Sequence, residues 1–92
     1  MTPDRQFSRL ICGAQQAAGV IAARHRGDDR GAARLLDAFP DRAALTDGFV
    51  LLADMSLQMH CERAGQTMTE CVQELCLHLD EVLAAPPGNS DG

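Results

Sequence analysis

Residues 41–64 read DRAALTDGFVLLADMSLQMHCERA, and most positions between 43 and 59 are apolar apart from one narrow polar stripe. The stripe recurs at helical spacing, so that its members fall along one line of a helix: Asp47, Asp54, Gln58 and Glu62. A helix that is apolar around most of its circumference is typical of the middle of a helical bundle. We therefore predict a central helix that ends near Ala64 and contributes Phe49 and Leu52 to the core.

Downstream of this segment, the sequence predicts a further long helix. Gly65 is suited to close the central helix, and Thr67 with Glu70 three residues later has the pattern of a capping box. The expected inner face of the new helix recurs at spacings of three and four residues: Met68, Val72, Leu75, Cys76, Leu79, Val82 and Leu83. The two prolines at 86 and 87 should end this helix, and residues 86–92 are expected to form a disordered tail.

Upstream, the first helix is expected to begin at Thr2 and to end at Gly27, which suits a left-handed cap. Its inner face is predicted from the same spacing: Phe7, Leu10, Ile11, Ala14, Ala18 and Ile21. Gly13 and Gly19, together with nearby alanines, leave a thin surface on this helix. Each glycine inside the helix costs roughly 1 kcal/mol relative to alanine, and another helix could approach this surface closely.

A short second helix completes the predicted fold. Asp28 and Asp29 can cap it, and it should extend to about Ala38, before Pro40; either Pro40 or Asp41 then opens the central helix. Of the 42 apolar residues in the 92-residue chain, 25 are alanine or leucine, a composition that favours helix over strand. We expect an all-α fold: a compact bundle of four helices, three long and one short, forming a single domain over residues 1–85.

Charge is distributed unevenly along the chain. Residues 1–45 contain seven arginines and five acidic residues, for a balance of +2, whereas residues 46–92 contain one arginine and eight acidic residues, for a balance of −7. A strongly acidic half argues against nucleic acid as a partner, because phosphates are bound by Lys and Arg. The acidic half suits either a basic protein surface or a solvated face.

The sequence predicts a cytoplasmic protein without a membrane segment. The first residues lack the basic start and apolar core of a signal peptide, and the longest apolar run, 49–53, is far shorter than a membrane span. The four cysteines are therefore expected to be free thiols that pack as small apolar side chains: Cys12, Cys61, Cys71 and Cys76.

The turn between the last two predicted helices superficially resembles that of a DNA-binding helix-turn-helix. In such units the second helix enters the major groove. Here that helix has no Lys or Arg and four acidic residues, so it would repel phosphate, and Gln66 and Glu74 stand where apolar residues are expected. A DNA-binding regulator therefore remains an alternative function rather than the preferred one.

Histidines and cysteines cluster in the same part of the chain, and they define a second alternative, a metal- or thiol-dependent protein. The candidates are His60, Cys61, Cys71, Cys76 and His78. Their spacing does not match the paired ligands of structural zinc sites, and the acidic neighbours of Cys71 disfavour a thiolate. We expect no metal, no cofactor and, since no catalytic signature occurs, no enzymatic activity.

Several elements together resemble small all-helical proteins of high-GC actinobacteria and their phages. The resemblance rests on 27–29 (GDD), 35–38 (LLDA), 49–53 (FVLLA), and 64–67 (AGQT) with Glu70, and covers about residues 20–80. It implies a compact helical domain and carries over no activity and no functional residue.

The preferred hypothesis is a helical protein-interaction module that associates with itself. The last predicted helix has two adjacent apolar stripes and a further leucine on its outer side, more apolar surface than one neighbouring helix can cover. The predicted interaction surface consists of Cys71, Leu75, Leu77, His78 and Val82. Symmetric dimers are the commonest way to bury such a surface, so we expect a homodimer formed through the first and last helices.

Overall fold

The computed structural model describes residues 5–85, which form four helices joined by short connections. They are α1 (Arg5–His25), α2 (Asp29–Asp37), α3 (Arg42–Ala64) and α4 (Met68–Ala84). No strand occurs within these residues, and the predicted all-α fold of three long helices and one short helix is confirmed. The predicted start at Thr2 and the predicted tail 86–92 lie outside the described residues.

Contacts divide the chain into two compact units, Met1–Met55 and Ser56–Gly92. The first contains α1, α2 and the beginning of α3, and the second contains the end of α3 and α4. Helix α3 therefore contributes different residues to each unit.

The core of the first unit is built mainly from small residues. Helix α1 buries a row of residues at three-residue spacing: Ala14, Ala17, Val20 and Ala23. Val20 and Ala23 form a cluster with Ala32 of α2. Leu35, Leu36 and Phe49 pack against this cluster and are half-buried. The predicted inner face of α1 is therefore partly wrong, since Phe7 is 60% and Ile21 41% exposed. The alanine row allows close helix packing, and this geometry turns the larger side chains outward.

The close approach predicted for the glycines of α1 occurs between α1 and α3 at Gly13 and Gly48. A Cβ atom added to Gly48 would lie 2.7 Å from the carbonyl oxygen and 2.8 Å from the carbonyl carbon of Gly13. Only glycine at 48 permits this backbone contact. Gly19 is likewise packed, because a Cβ there would lie 3.2 Å from the Cδ1 atom of Leu35.

Local caps fix the ends of the helices, largely as predicted. The Asp28 side chain accepts a hydrogen bond of 2.9 Å from the Gly31 amide at the start of α2, and the Asp41 side chain accepts one of 2.8 Å from the Ala44 amide at the start of α3. Gly27 and Gly65 adopt positive φ angles of 79° and 67° after α1 and α3. These caps place the turns that separate the helices.

The prediction that α3 is covered on most of its circumference is wrong. Val50 is 57% exposed and Met59 54% exposed, whereas Phe49 and Leu52 are only half-buried. An apolar surface around a whole helix requires neighbours on several sides, and the described helices cover only part of α3. Large apolar side chains of α3 are consequently left in contact with solvent.

Candidate interaction surface

The most extensive exposed apolar surface in the second unit lies on α4. Six large side chains are 36–84% exposed: Met68, Val72, Leu75, Leu79, Val82 and Leu83. At 100° per residue they span roughly 100° of the helix circumference, and we call them the α4 apolar face. The prediction that these residues form an inner face is wrong, because α3 covers the helix near Cys71, at one edge of this arc.

The predicted interaction residues are divided between this face and a neighbouring groove. Leu75 and Val82 belong to the α4 apolar face and are exposed, whereas Leu77 and His78 are exposed elsewhere on the helix. Cys71 is only 3% exposed, so its prediction as a surface residue is wrong. It is buried because the end of α3 packs at this position in the hairpin, where Cys61 is also buried.

The groove between the end of α3 and α4 has a volume of about 530 Å³. Its lining mixes apolar and titratable side chains: Leu57, His60, Cys71, Glu74, Leu75, Leu77, His78 and Glu81. Four of the five predicted interaction residues therefore border it, and Val82 does not. The groove is open to solvent, and its two histidines and two glutamates give its rim a polar character.

Cys61 and Cys71 are both held by the carbonyl group of Thr67, in the turn between α3 and α4. The Cys61 thiol donates a hydrogen bond to the carbonyl oxygen of Thr67 at 3.7 Å, and the same oxygen accepts the Cys71 amide at 3.0 Å. Burial raises the pKa of the Cys71 thiol, and its hydrogen bond with Cys61 raises it further, as do the charges of Cys61 and Glu74. Cys71 is therefore held as a neutral thiol.

Three more hydrogen bonds shape the turn before α4. The Thr67 side chain accepts a hydrogen bond of 3.1 Å from the Glu70 amide, and the Glu70 carboxylate accepts one of 2.9 Å from the Thr67 amide. This is the predicted capping box. The Gln66 side-chain amide donates to the Glu74 carboxylate, so the two polar residues that departed from the helix-turn-helix pattern bind each other.

A second groove, of about 460 Å³, lies in the first unit between α1 and the beginning of α3. Its lining is apolar at Leu10, Val50 and Leu51, with Arg9 on one side and Asp47 and Asp54 on the other. The two aspartates belong to the predicted polar stripe, and all four stripe residues are exposed as expected. Sequence analysis missed this groove, although Gly48 in the same turn was a signal of close helix packing.

Within residues 5–85, no three His, Cys, Asp or Glu side chains are grouped closely enough to share a metal ion. The four cysteines are free. No helix in that range combines the length and the apolar character needed to cross a membrane. Comparison with family models, curated proteins and solved structures finds no match to the chain.

Proposed function

We propose that this protein is a helical interaction module that forms a homodimer, with the α4 apolar face of each copy packed against α1 of the other. The exposure of the α4 apolar face is the observation that carries the proposal. Six side chains of this size provide several hundred Å² of apolar surface, as much as the largest patches on monomeric proteins. Removing such surface from water is favourable by about 25 cal/mol per Å².

Helix α1 is the favoured partner element because its charge complements that of α4. Three arginines and one histidine lie in α1, which has no acidic residue. Helix α4 has four acidic residues and no arginine or lysine. Phe7 and Ile21 on α1 also leave apolar surface exposed, so a second copy would find both apolar contact and opposite charge there.

A reciprocal exchange of these contacts is the natural form of a two-fold symmetric dimer. Such a dimer contains two equivalent contacts, each between α4 of one copy and α1 of the other. Both contacts bury apolar surface. The proposed role is binding and includes no catalysis. We also propose a cytoplasmic location, where the four thiols would stay reduced.

The mass of the protein in solution tests the dimer. We expect light scattering after size exclusion to give about twice the chain mass of 9.9 kDa at micromolar concentration. Leu79→Glu should shift the protein to monomer, because it places a charge at the centre of the α4 apolar face. Gln73→Glu adds the same charge to the polar side of α4 and should leave the dimer intact. Wild-type protein that stays at 9.9 kDa over this range would exclude the proposal.

The variant Leu77→Glu tests whether the α4 apolar face or the adjoining groove forms the dimer interface. Leu77 lies on nearly the opposite side of α4 from Leu79, and it borders the groove. We expect Leu77→Glu to associate like the wild type. If it becomes monomeric while Leu79→Glu remains dimeric, the groove rather than the α4 apolar face is the interface. Circular dichroism should show equal helix content in both variants.

A further inference from the structure

We propose that Cys61 and Cys71 are a paired-thiol oxidation site, which a small hydroperoxide converts into a disulfide between α3 and α4. The proposal is independent of the dimer, because it concerns only the interior of the second unit. It rests on the meeting of two buried cysteines from different helices, which are 8% and 3% exposed. Cys12 and Cys76 are exposed and have no such arrangement.

The turn between the helices holds the two thiols together. The carbonyl oxygen of Thr67 accepts hydrogen bonds from both the Cys61 thiol and the Cys71 amide. Cys61 also raises the pKa of the Cys71 thiol, as a second thiol close by would do. On the other side of the turn, the Gln66 amide donates to the Cys61 carbonyl oxygen at 3.0 Å. Both cysteines are therefore fixed to the same short segment, which holds them next to each other.

The groove gives a small oxidant access to one member of the pair. Cys71 lines the groove between α3 and α4, whereas Cys61 does not. In the first step, the Cys71 thiol loses its proton, and the thiolate attacks one oxygen of hydrogen peroxide; this forms a sulfenic acid and releases hydroxide, which takes up that proton as water. In the second step, the Cys61 sulfur displaces hydroxide from that sulfenic acid. The balance is two thiols and one peroxide to one disulfide and two waters.

The neighbouring groups make this site slow to react but selective. Burial keeps Cys71 neutral at ordinary pH, so reaction with peroxide should require millimolar rather than micromolar oxidant. The exclusion of larger reagents should protect the pair from bulky alkylating agents that modify Cys12 and Cys76. The product closes a loop that contains the turn and the capping box, and cross-linking such a loop restricts the unfolded chain.

The test uses the full chain with Cys12→Ser and Cys76→Ser, which removes the two exposed thiols. Trypsin cleaves after Arg63 and separates Cys61, in peptide 43–63, from Cys71, in peptide 64–92. After treatment with hydrogen peroxide in native buffer, we expect these two peptides to remain joined. Their combined mass should be two hydrogens below the sum of the two separate peptides. We also expect the melting temperature to rise by roughly 10 °C, and dithiothreitol to reverse both changes.

Two further variants complete the experiment. In the same background, Cys61→Ser should leave Cys71 as a sulfenic acid that dimedone traps, because the resolving thiol is absent. Cys71→Ser should leave Cys61 unmodified, because Cys61 does not line the groove. The proposal is overturned if Cys71 proceeds to sulfinic acid while Cys61 is present and free. It is also overturned if the peptides become linked only after the protein is unfolded.

Discussion

At the scale of single residues, two glycines determine how closely α1 and α3 pack in the first unit, because glycine has no side chain. The backbone of Gly48 lies against the carbonyl group of Gly13, with no room for a Cβ atom at 48. The two positions are not equivalent, because a Cβ at Gly13 would meet its nearest neighbour, the Cα atom of Gly48, at 3.5 Å. That distance is an ordinary van der Waals contact.

This asymmetry predicts opposite effects for two alanine substitutions. Gly48→Ala forces the helices apart, so we expect it to lower the free energy of unfolding by about 1–3 kcal/mol despite the better helix propensity of alanine. Gly13→Ala should be neutral or raise that free energy by up to about 1 kcal/mol, because only the propensity changes. Urea unfolding followed by circular dichroism measures both. Equal effects of the two substitutions would contradict the close contact at Gly48.

Phe49 is the largest side chain that packs on the core cluster of the first unit, and its ring centre lies 6.3 Å from that of Phe39. We expect Phe49→Ala to lower the free energy of unfolding by about 3 kcal/mol, the lower end for phenylalanine because the ring is only half-buried. Val50→Ala, at the next and mostly exposed position, is the control and should change it by less than about 0.5 kcal/mol. Thermal or urea unfolding that ranks Val50→Ala as the more harmful change would disprove this assignment.

At the scale of the helices, sequence analysis predicted the ends well and the buried faces poorly. Caps act within a few residues, so Asp28, Gly65 and the capping box at Thr67 could be identified without knowledge of tertiary contacts. The buried face depends on which neighbour approaches. The spacing rule favoured Phe7 and Ile21, but the alanine row of α1 packs more closely and turns both side chains to solvent.

For the candidate interaction surface too, the sequence predicted local features well and contacts between helices poorly. The sequence indicated that α4 carries more apolar side chains than one neighbour can cover, and Leu75, Leu77 and Val82 are indeed exposed. Cys71 was placed on the wrong side, because its contact with Cys61 depends on how the hairpin closes. No local pattern encodes that closure. The groove beside Asp47 and Asp54 was missed for the same reason, since its walls come from two helices.

The capping box of α4 predicts a specific response to acid. The pKa of Glu70 is lowered mainly by the hydrogen bond from the Thr67 amide and, to a smaller extent, by a hydrogen bond with the Thr67 side chain. Burial raises this pKa by a smaller amount. A lowered folded-state pKa means that ionised Glu70 stabilises the fold above its ordinary pKa. That contribution is lost as the pH falls below about 4.

We therefore expect Glu70→Gln to be less stable than the wild type at pH 6 and equal to it near pH 3, as measured by urea unfolding. Glu81→Gln, on the same helix but outside the capping box, should show no such difference. Thr67→Ala should lower the free energy of unfolding by about 1 kcal/mol, because it removes the cap of the Glu70 amide. A stability difference for Glu70→Gln that persists undiminished at pH 3 would contradict the role assigned to its charge.

At the scale of the whole molecule, the division of charge is the feature that most constrains association. The basic residues of α1 and the acidic residues of α4 belong to different units, and each helix also has exposed apolar side chains. Two arrangements of a dimer would both cover the α4 apolar face. Packing of α4 on α1 of a second copy brings opposite charges together, whereas packing of α4 on α4 brings like charges together.

Salt distinguishes the two arrangements by the sign of its effect. Raising the ionic strength from about 0.01 M to about 1 M shortens the screening length from roughly 30 Å to roughly 3 Å. If α4 meets α1, screening weakens an attraction, so the dissociation constant measured by sedimentation should rise with salt. Glu74→Gln should raise it at low salt only, because that variant removes one attractive charge. If the dimer tightens with salt and Glu74→Gln tightens it at low salt, the interface joins two α4 helices, and α1 is not the partner element.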